Sequence, residues 1–169
     1  MDKINNLPLS DNTDKKEFYM TLNGQLKSLL ENETHPIPNL ANASALLNLA
    51  LADINWVGFY LLKNDELLLG PFQGKPACIH IPVGKGVCGT AVASAQSQVV
   101  PDVHAFPGHI ACDSASNSEI VIPIFAGNRI VGVLDIDSPE YNRFDRSDLD
   151  GLEEFTRILA YSCNWDEII

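Results

Sequence analysis

The sequence predicts an α+β fold: a mainly antiparallel central sheet of about six strands, with an N-terminal pair of helices and a C-terminal helix packed on one side. Three observations lead there. Apolar residues recur at helical spacing near both ends of the chain. The middle changes to aromatic and β-branched runs broken by the turn signals Asn64-Asp65 and Gly127-Asn128. The order is helix, helix, strands, helix, strands, helix.

Residues 1–12 are polar and expected to be loose. Asn12 or Thr13 is placed to cap a first helix, in which Phe18, Leu22, Leu26, Leu29 and Leu30 form one apolar stripe. The prolines of NETHPIP are expected to stop it, and Asn39 to cap a second, Ala/Leu-rich helix running to about Leu51. WVGFYLLK and ELLLGPFQG read as a hairpin across Asn64-Asp65. Cys78–Pro82 reads as a short strand and Val87–Ala95 as a helix of small residues with Cys88 in its first turn. Gln98–Val100 is another short strand, followed by a long polar loop. Ile120–Phe125 and the run ending in Asp135 and Asp137 make a second hairpin. A helix from about Asp145 to Trp165 closes the chain, with Leu149, Leu152, Phe155, Ile158 and Leu159 on one face.

A length of 169 residues with 46% hydrophobic side chains fits one domain, 1–169, with a substantial core. The formal net charge of -11 repels phosphate backbones and anionic lipid heads, which argues against nucleic-acid and membrane partners. Cationic, zwitterionic and neutral small ligands stay open. The N-terminus has no apolar core of the signal-peptide kind, and the greasy stretch 43–62 is broken by Asn48, Asp53 and Asn55, so a cytoplasmic location is expected. Four cysteines (78, 88, 112, 163) are too few for a disulfide scaffold, and pairing among them is expected to be transient and chemical.

Cys112 is the sharpest candidate for chemistry, because it sits in a polar loop where packing does not ask for a thiol. It is set against the plain alternative of an incidental small residue. His104 and His109 are more readily solvated loop histidines than helpers. Cys78 and Cys88 read as buried small hydrophobes and Cys163 as packing or surface. Without Cys-x-x-Cys or His-x3-His spacing, no metal is expected.

Asp135 and Asp137 are two apart and share a strand face, with Leu134 and Ile136 on the other. Register decides whether Glu119 joins them. A strict two-residue loop at Gly127-Asn128 pairs Glu119 with Ile136, whereas a longer loop or a bulge sets it opposite Asp137; the second arrangement is expected. Three crowded carboxyls repel, so at least one is expected to hold a proton near neutrality. Such a trio suits gripping an ammonium group and donating a proton.

IHIPVGKGVCGTAV, the loop HIACDSASNSEIVIPI, the hairpin end GVLDIDS, INWVGFYLL and GPFQGKPACI resemble the free methionine-(R)-sulfoxide reductases, which are stand-alone GAF domains. The likeness runs from about Thr13 to the last helix, and three cysteines at these intervals with a Glu seven residues after the third are not general to GAF domains. The resemblance implies a GAF-like fold and reduction of free methionine sulfoxide, with thioredoxin as external reductant, no cofactor, and a homodimer. It implies that Cys112 attacks the sulfoxide sulfur and that Cys88 or Cys78 resolves the resulting sulfenic acid. Glu119, Asp135 and Asp137 would bind the amino group and sulfoxide oxygen, Trp56 and Tyr60 would wall the methyl end, and the N–H groups near Ala111 would take the carboxylate. The alternative is a non-catalytic GAF module that binds a small molecule or senses redox state. Against it, 169 residues are expected to leave no room for an output domain, so a sensor would need a separate partner.

Overall fold

A computed structural model describes residues 14–108 and 114–168. A six-stranded sheet has the order β3-β2-β1-β6-β5-β4, with every neighbouring pair antiparallel. The strands are β1 (Trp56–Lys63), β2 (Glu66–Gly74), β3 (His80–Pro82), β4 (Gln98–Val100), β5 (Ser118–Ala126) and β6 (Arg129–Ser138). The helices are α1 (Lys15–Leu29), α2 (Pro36–Ala50), α3 (Gly86–Ser94) and α4 (Arg146–Ser162), with short 3₁₀ turns at Val103–Ala105 and Trp165–Glu167.

The sheet divides two cores. On one face, Phe18, Leu22 and Leu26 of α1, Leu40 and Leu47 of α2, and Leu152, Phe155 and Leu159 of α4 pack on Val57, Phe59, Ile120, Ile122, Leu134 and Ile136. On the other, Val87, Cys88, Ala91 and Val92 of α3 pack on Trp56, Tyr60, Val121 and Val133. The expected layer of three helices on one side is therefore present, and α3 is the exception that covers the opposite face.

Helix boundaries differ from the expected ones for local reasons. Asp14 caps α1, its carboxylate accepting from Lys16 N–H, while Asn12 and Thr13 lie outside the described residues. The second helix starts at Pro36, not after Asn39: proline in a first turn loses no hydrogen bond, because those N–H groups have no intrahelical acceptor. The His35 ring caps it, and Asn39 instead donates to the Glu33 carbonyl and to Cys163 Sγ. Cys78 precedes β3, which begins at His80. The last helix ends at Ser162, short of Trp165.

The turn between β5 and β6 is a two-residue loop, Ala126 facing Arg129, with Gly127 at φ 63°. A bulge follows at once, since Phe125 faces Ile130 but Ile124 faces Gly132. That one extra residue shifts every later pair, and Glu119 faces Asp137 as expected.

Candidate functional site

Four strands lay the site out as a grid. Glu119, Asp137, Trp56 and Gly74 form one row across β5, β6, β1 and β2, and Val121, Asp135, Gly58 and Phe72 form the next. Alternation sends Asp135, Asp137, Trp56 and Tyr60 to the α3 face while Leu134, Ile136, Val57 and Phe59 enter the other core. Glu119, Asp135 and Asp137 thus share a cavity with Trp56, Tyr60 and Cys88; it encloses about 40 Å³.

The aromatic wall is held by close approach of backbone. The Trp56 ring stacks between Tyr60 (5.9 Å) and Phe72 (5.3 Å). At Gly58 a Cβ would lie 2.3 Å from Phe72 Cβ and 2.7 Å from the Trp56 ring, so the stack needs glycine there. Trp56 Nε1 donates to the Lys75 carbonyl at 3.1 Å and the Tyr60 hydroxyl to the Cys78 carbonyl at 3.0 Å. The same two side chains therefore wall the cavity and pin segment 75–78 above it.

Cys88 enters from the first turn of α3. Gly84 N–H bonds back to the Gly89 carbonyl at 2.8 Å, and a Cβ on Gly89 would stand 2.4 Å from the Pro82 carbonyl, so the turn sits tight against the end of β3. Cys88 and Cys163 are free thiols, and Cys78 is disulfide-bonded. Cys112, Ala111 and His109 lie outside the described residues. His104 is at the surface, its Nε2 2.9 Å from Asn117 Oδ1, and does not line the cavity.

Burial dominates the electrostatics. Glu119, 5% exposed, has its carboxyl pushed well up by desolvation and then by the charges of Asp135 and Asp137. Desolvation raises Asp135 to about 6, offset in part by hydrogen bonds from Cys88 and Glu119. In that arrangement protonated Glu119 donates to ionised Asp135. The Cys88 thiol is pushed up by burial and by the Asp135 and Glu119 charges, which keeps it protonated. Asp135 Oδ1 is buried without a hydrogen-bond partner among the described residues. One ligand atom each from Cys88, Glu119 and Asp135 lie within 4.8 Å of one another.

Sequence reasoning missed Ser116, which lines the cavity and accepts from Asn55 Nδ2 at 3.0 Å, and the Lys75–Ala77 rim. A serine in a polar loop carries no periodic signal. Its place is set by tertiary ties: Asn117 N–H bonds to the Ser138 carbonyl at 2.7 Å and Val103 N–H to the Asn117 carbonyl at 3.0 Å.

A six-stranded antiparallel sheet with helices on both faces and a polar cup beneath a short helix define a GAF domain, and the GAF-domain profile matches residues 43–161. The chain is 59% identical over 145 residues to the free methionine-R-sulfoxide reductase of Escherichia coli K12, covering 86% of this chain and 88% of that one. The free methionine-R-sulfoxide reductase of Neisseria meningitidis in complex with its substrate is 44% identical with a TM-score of 0.86, covering 94% of this chain and 95% of that one. The reduced fRMsr of Staphylococcus aureus is 59% identical with a TM-score of 0.84, covering 85% and 94%. The chain belongs to the free methionine-R-sulfoxide reductase family of enzymes.

Proposed function

We propose that the protein reduces free L-methionine-(R)-sulfoxide to L-methionine through a cysteine sulfenic acid and an intramolecular disulfide, recycled in the cytoplasm by thioredoxin. The observation that carries this reading is a buried Glu119, its carboxyl pushed well up, held against Asp135 and opposite Asp137 in a cup walled by Trp56 and Tyr60. A sulfoxide sulfur becomes electrophilic when its oxygen accepts a proton. Glu119 supplies that proton, and Asp135 and Asp137 hold the substrate ammonium. The aromatic pair contacts the S-methyl end, and N–H groups near Ala111 receive the carboxylate.

Cys112 is the nucleophile in this scheme. Its sulfur bonds to the sulfoxide sulfur, the protonated oxygen passes to Cys112 as sulfenic acid, and methionine leaves. A second thiol then condenses with the sulfenic acid, forming a disulfide and releasing water. Cys78 is the first resolver: support comes from its disulfide-bonded state, against the buried, protonated and free thiol of Cys88. An external dithiol exchanges with the disulfide and restores both thiols. One GAF domain spanning 1–169 does all of this, as a homodimer.

The test is to incubate reduced protein with each epimer of free and peptide-bound methionine sulfoxide while counting thiols. The expected result is conversion of the free R epimer alone, with two thiols lost per methionine formed. Unchanged thiols and no methionine would make the protein a binding module.

A further inference from the structure

The cavity holds a donor set that the redox cycle uses only in part. Cys88 stands on the first turn of α3, Glu119 on β5 and Asp135 on β6, three elements packed rigidly together. Their side chains are 3%, 5% and 7% exposed, and one ligand atom from each lies within 4.8 Å of the other two. Around a tetrahedral zinc, sulfur at about 2.3 Å and oxygen at about 2.0–2.2 Å stand roughly 3.3–3.6 Å from each other. Small rotations of two carboxyls and one thiol close that gap.

A second observation points to a ligand. Asp135 lines the cavity, yet its buried Oδ1 has no hydrogen bond among the described residues. A buried carboxylate oxygen without a donor is costly, and a cation satisfies it. The thiol selects among cations: sulfur with oxygen favours zinc, whereas magnesium and calcium take oxygen alone. Asp137, opposite Glu119 and on the cavity wall, is within the same row for a fourth position.

We propose that the reduced protein binds one zinc ion through Cys88 Sγ, Glu119 and Asp135, and that this ion blocks the cavity against substrate. Binding is a ligand exchange without electron transfer: the thiol and carboxyl protons leave to solvent as the metal–ligand bonds form. Cys88 then has a task separate from resolving a disulfide. The coordination stands on the three side chains alone, while the blockade rests on the substrate reading proposed above.

Cobalt(II), which reports thiolate ligation by a charge-transfer band, is the probe, titrated anaerobically into fully reduced protein and then displaced by zinc. One equivalent with the band is expected. Cys163→Ser and Cys78→Ser are expected to bind as the unaltered chain does. Cys88→Ser is expected to lose the band and at least about 100-fold in affinity, since losing even an outer-shell partner weakens a site 10–100-fold. A band that survives Cys88→Ser overturns the site. Should Cys88→Ser fail to fold, Asp135→Asn decides: the band is retained with affinity down at least about tenfold, and unaltered affinity overturns the site. L-methionine is expected to raise the apparent zinc Kd; a Kd independent of methionine overturns the blockade. Lack of sulfoxide turnover by the unaltered protein rejects the enzymatic reading and leaves the cobalt titration intact.

Discussion

Glu119 has a separable role because its proton is held by its surroundings. Glu119→Gln keeps the shape and a hydrogen-bond donor but removes the transferable proton, so kcat is expected to fall about 10²–10⁴-fold with KM changed far less. Methionine release in single turnovers reads this directly, and a rate within a few-fold of the unaltered enzyme would remove Glu119 as the acid. Because the Glu119 carboxyl is raised, activity is expected to decline as pH climbs through that raised value, and Glu119→Gln flattens this limb. Asp135 gives a stability signature. Its folded pKa, about 6, lies above the unfolded value near 3.9, so the native state binds more protons in that window. Stability from this group is greatest at about pH 4 and is lost as pH rises through 6. Asp135→Asn is therefore expected to stabilise the protein above pH 6, by about 1–3 kcal/mol, and to do little at pH 4. Urea midpoints at the two pH values test it, and an equal shift at both would contradict the assigned cause.

The strands carry the geometry, and the glycines between them decide how the aromatics stand. Gly58→Ala drives a methyl group into both Phe72 and Trp56. A loss of about 1–3 kcal/mol is expected from overpacking, with a raised KM as Trp56 tilts out of its stack. Denaturant melts and KM together check this, and a destabilised protein with unchanged KM would show that Trp56 does not shape the cup. Much of this level was legible in the sequence. The period-two alternation placed Asp135 and Asp137 together, Asn64-Asp65 marked the first hairpin, and crowding of carboxyls pointed to a raised Glu119, although burial, its larger cause, could not be read from the sequence. The bulge beyond Ala126 was expected only as one of two registers, because residues around a turn do not encode which of them is left unpaired. Pro36 misled for a related reason: the same ring breaks a helix interior and fits a first turn, and only the cap at His35 tells which applies. Ser116 was silent because hydrogen bonds to Asn55 and the β6 end, distant in sequence, give it its place.

The molecule as a whole puts its strength on one face of the sheet and its chemistry on the other. The three-helix face is stapled by Asp148, which completes the capping box of α4 by accepting from Asp145 N–H, accepts from the Tyr19 hydroxyl at 2.8 Å and pairs with Lys15 at 2.6 Å, tying α4 to α1. Among the described residues, the opposite face has only the nine-residue α3 and connecting segments over the cup. No helix among the described residues is long and apolar enough to cross a membrane. With Cys78 disulfide-bonded, the cavity of about 40 Å³ has room for a few waters and falls far short of an amino acid with a sulfoxide side chain. Cys78 sits on the very segment that Trp56 and Tyr60 tie down. With its disulfide broken that segment is expected to lift, so the oxidised form is expected to be closed to ligand and the reduced form receptive. Calorimetry with L-methionine, which keeps the ammonium and carboxylate but has no oxygen to give up, separates the two states. Reduced protein is expected to bind at least about tenfold more tightly, because the oxidised form must first reach an open state populated only in small part. Cys78→Ser without reductant should match the reduced form. Equal affinities in both redox states would mean that the cup opens by a route independent of Cys78, and the disulfide would then report a finished turnover without gating the next.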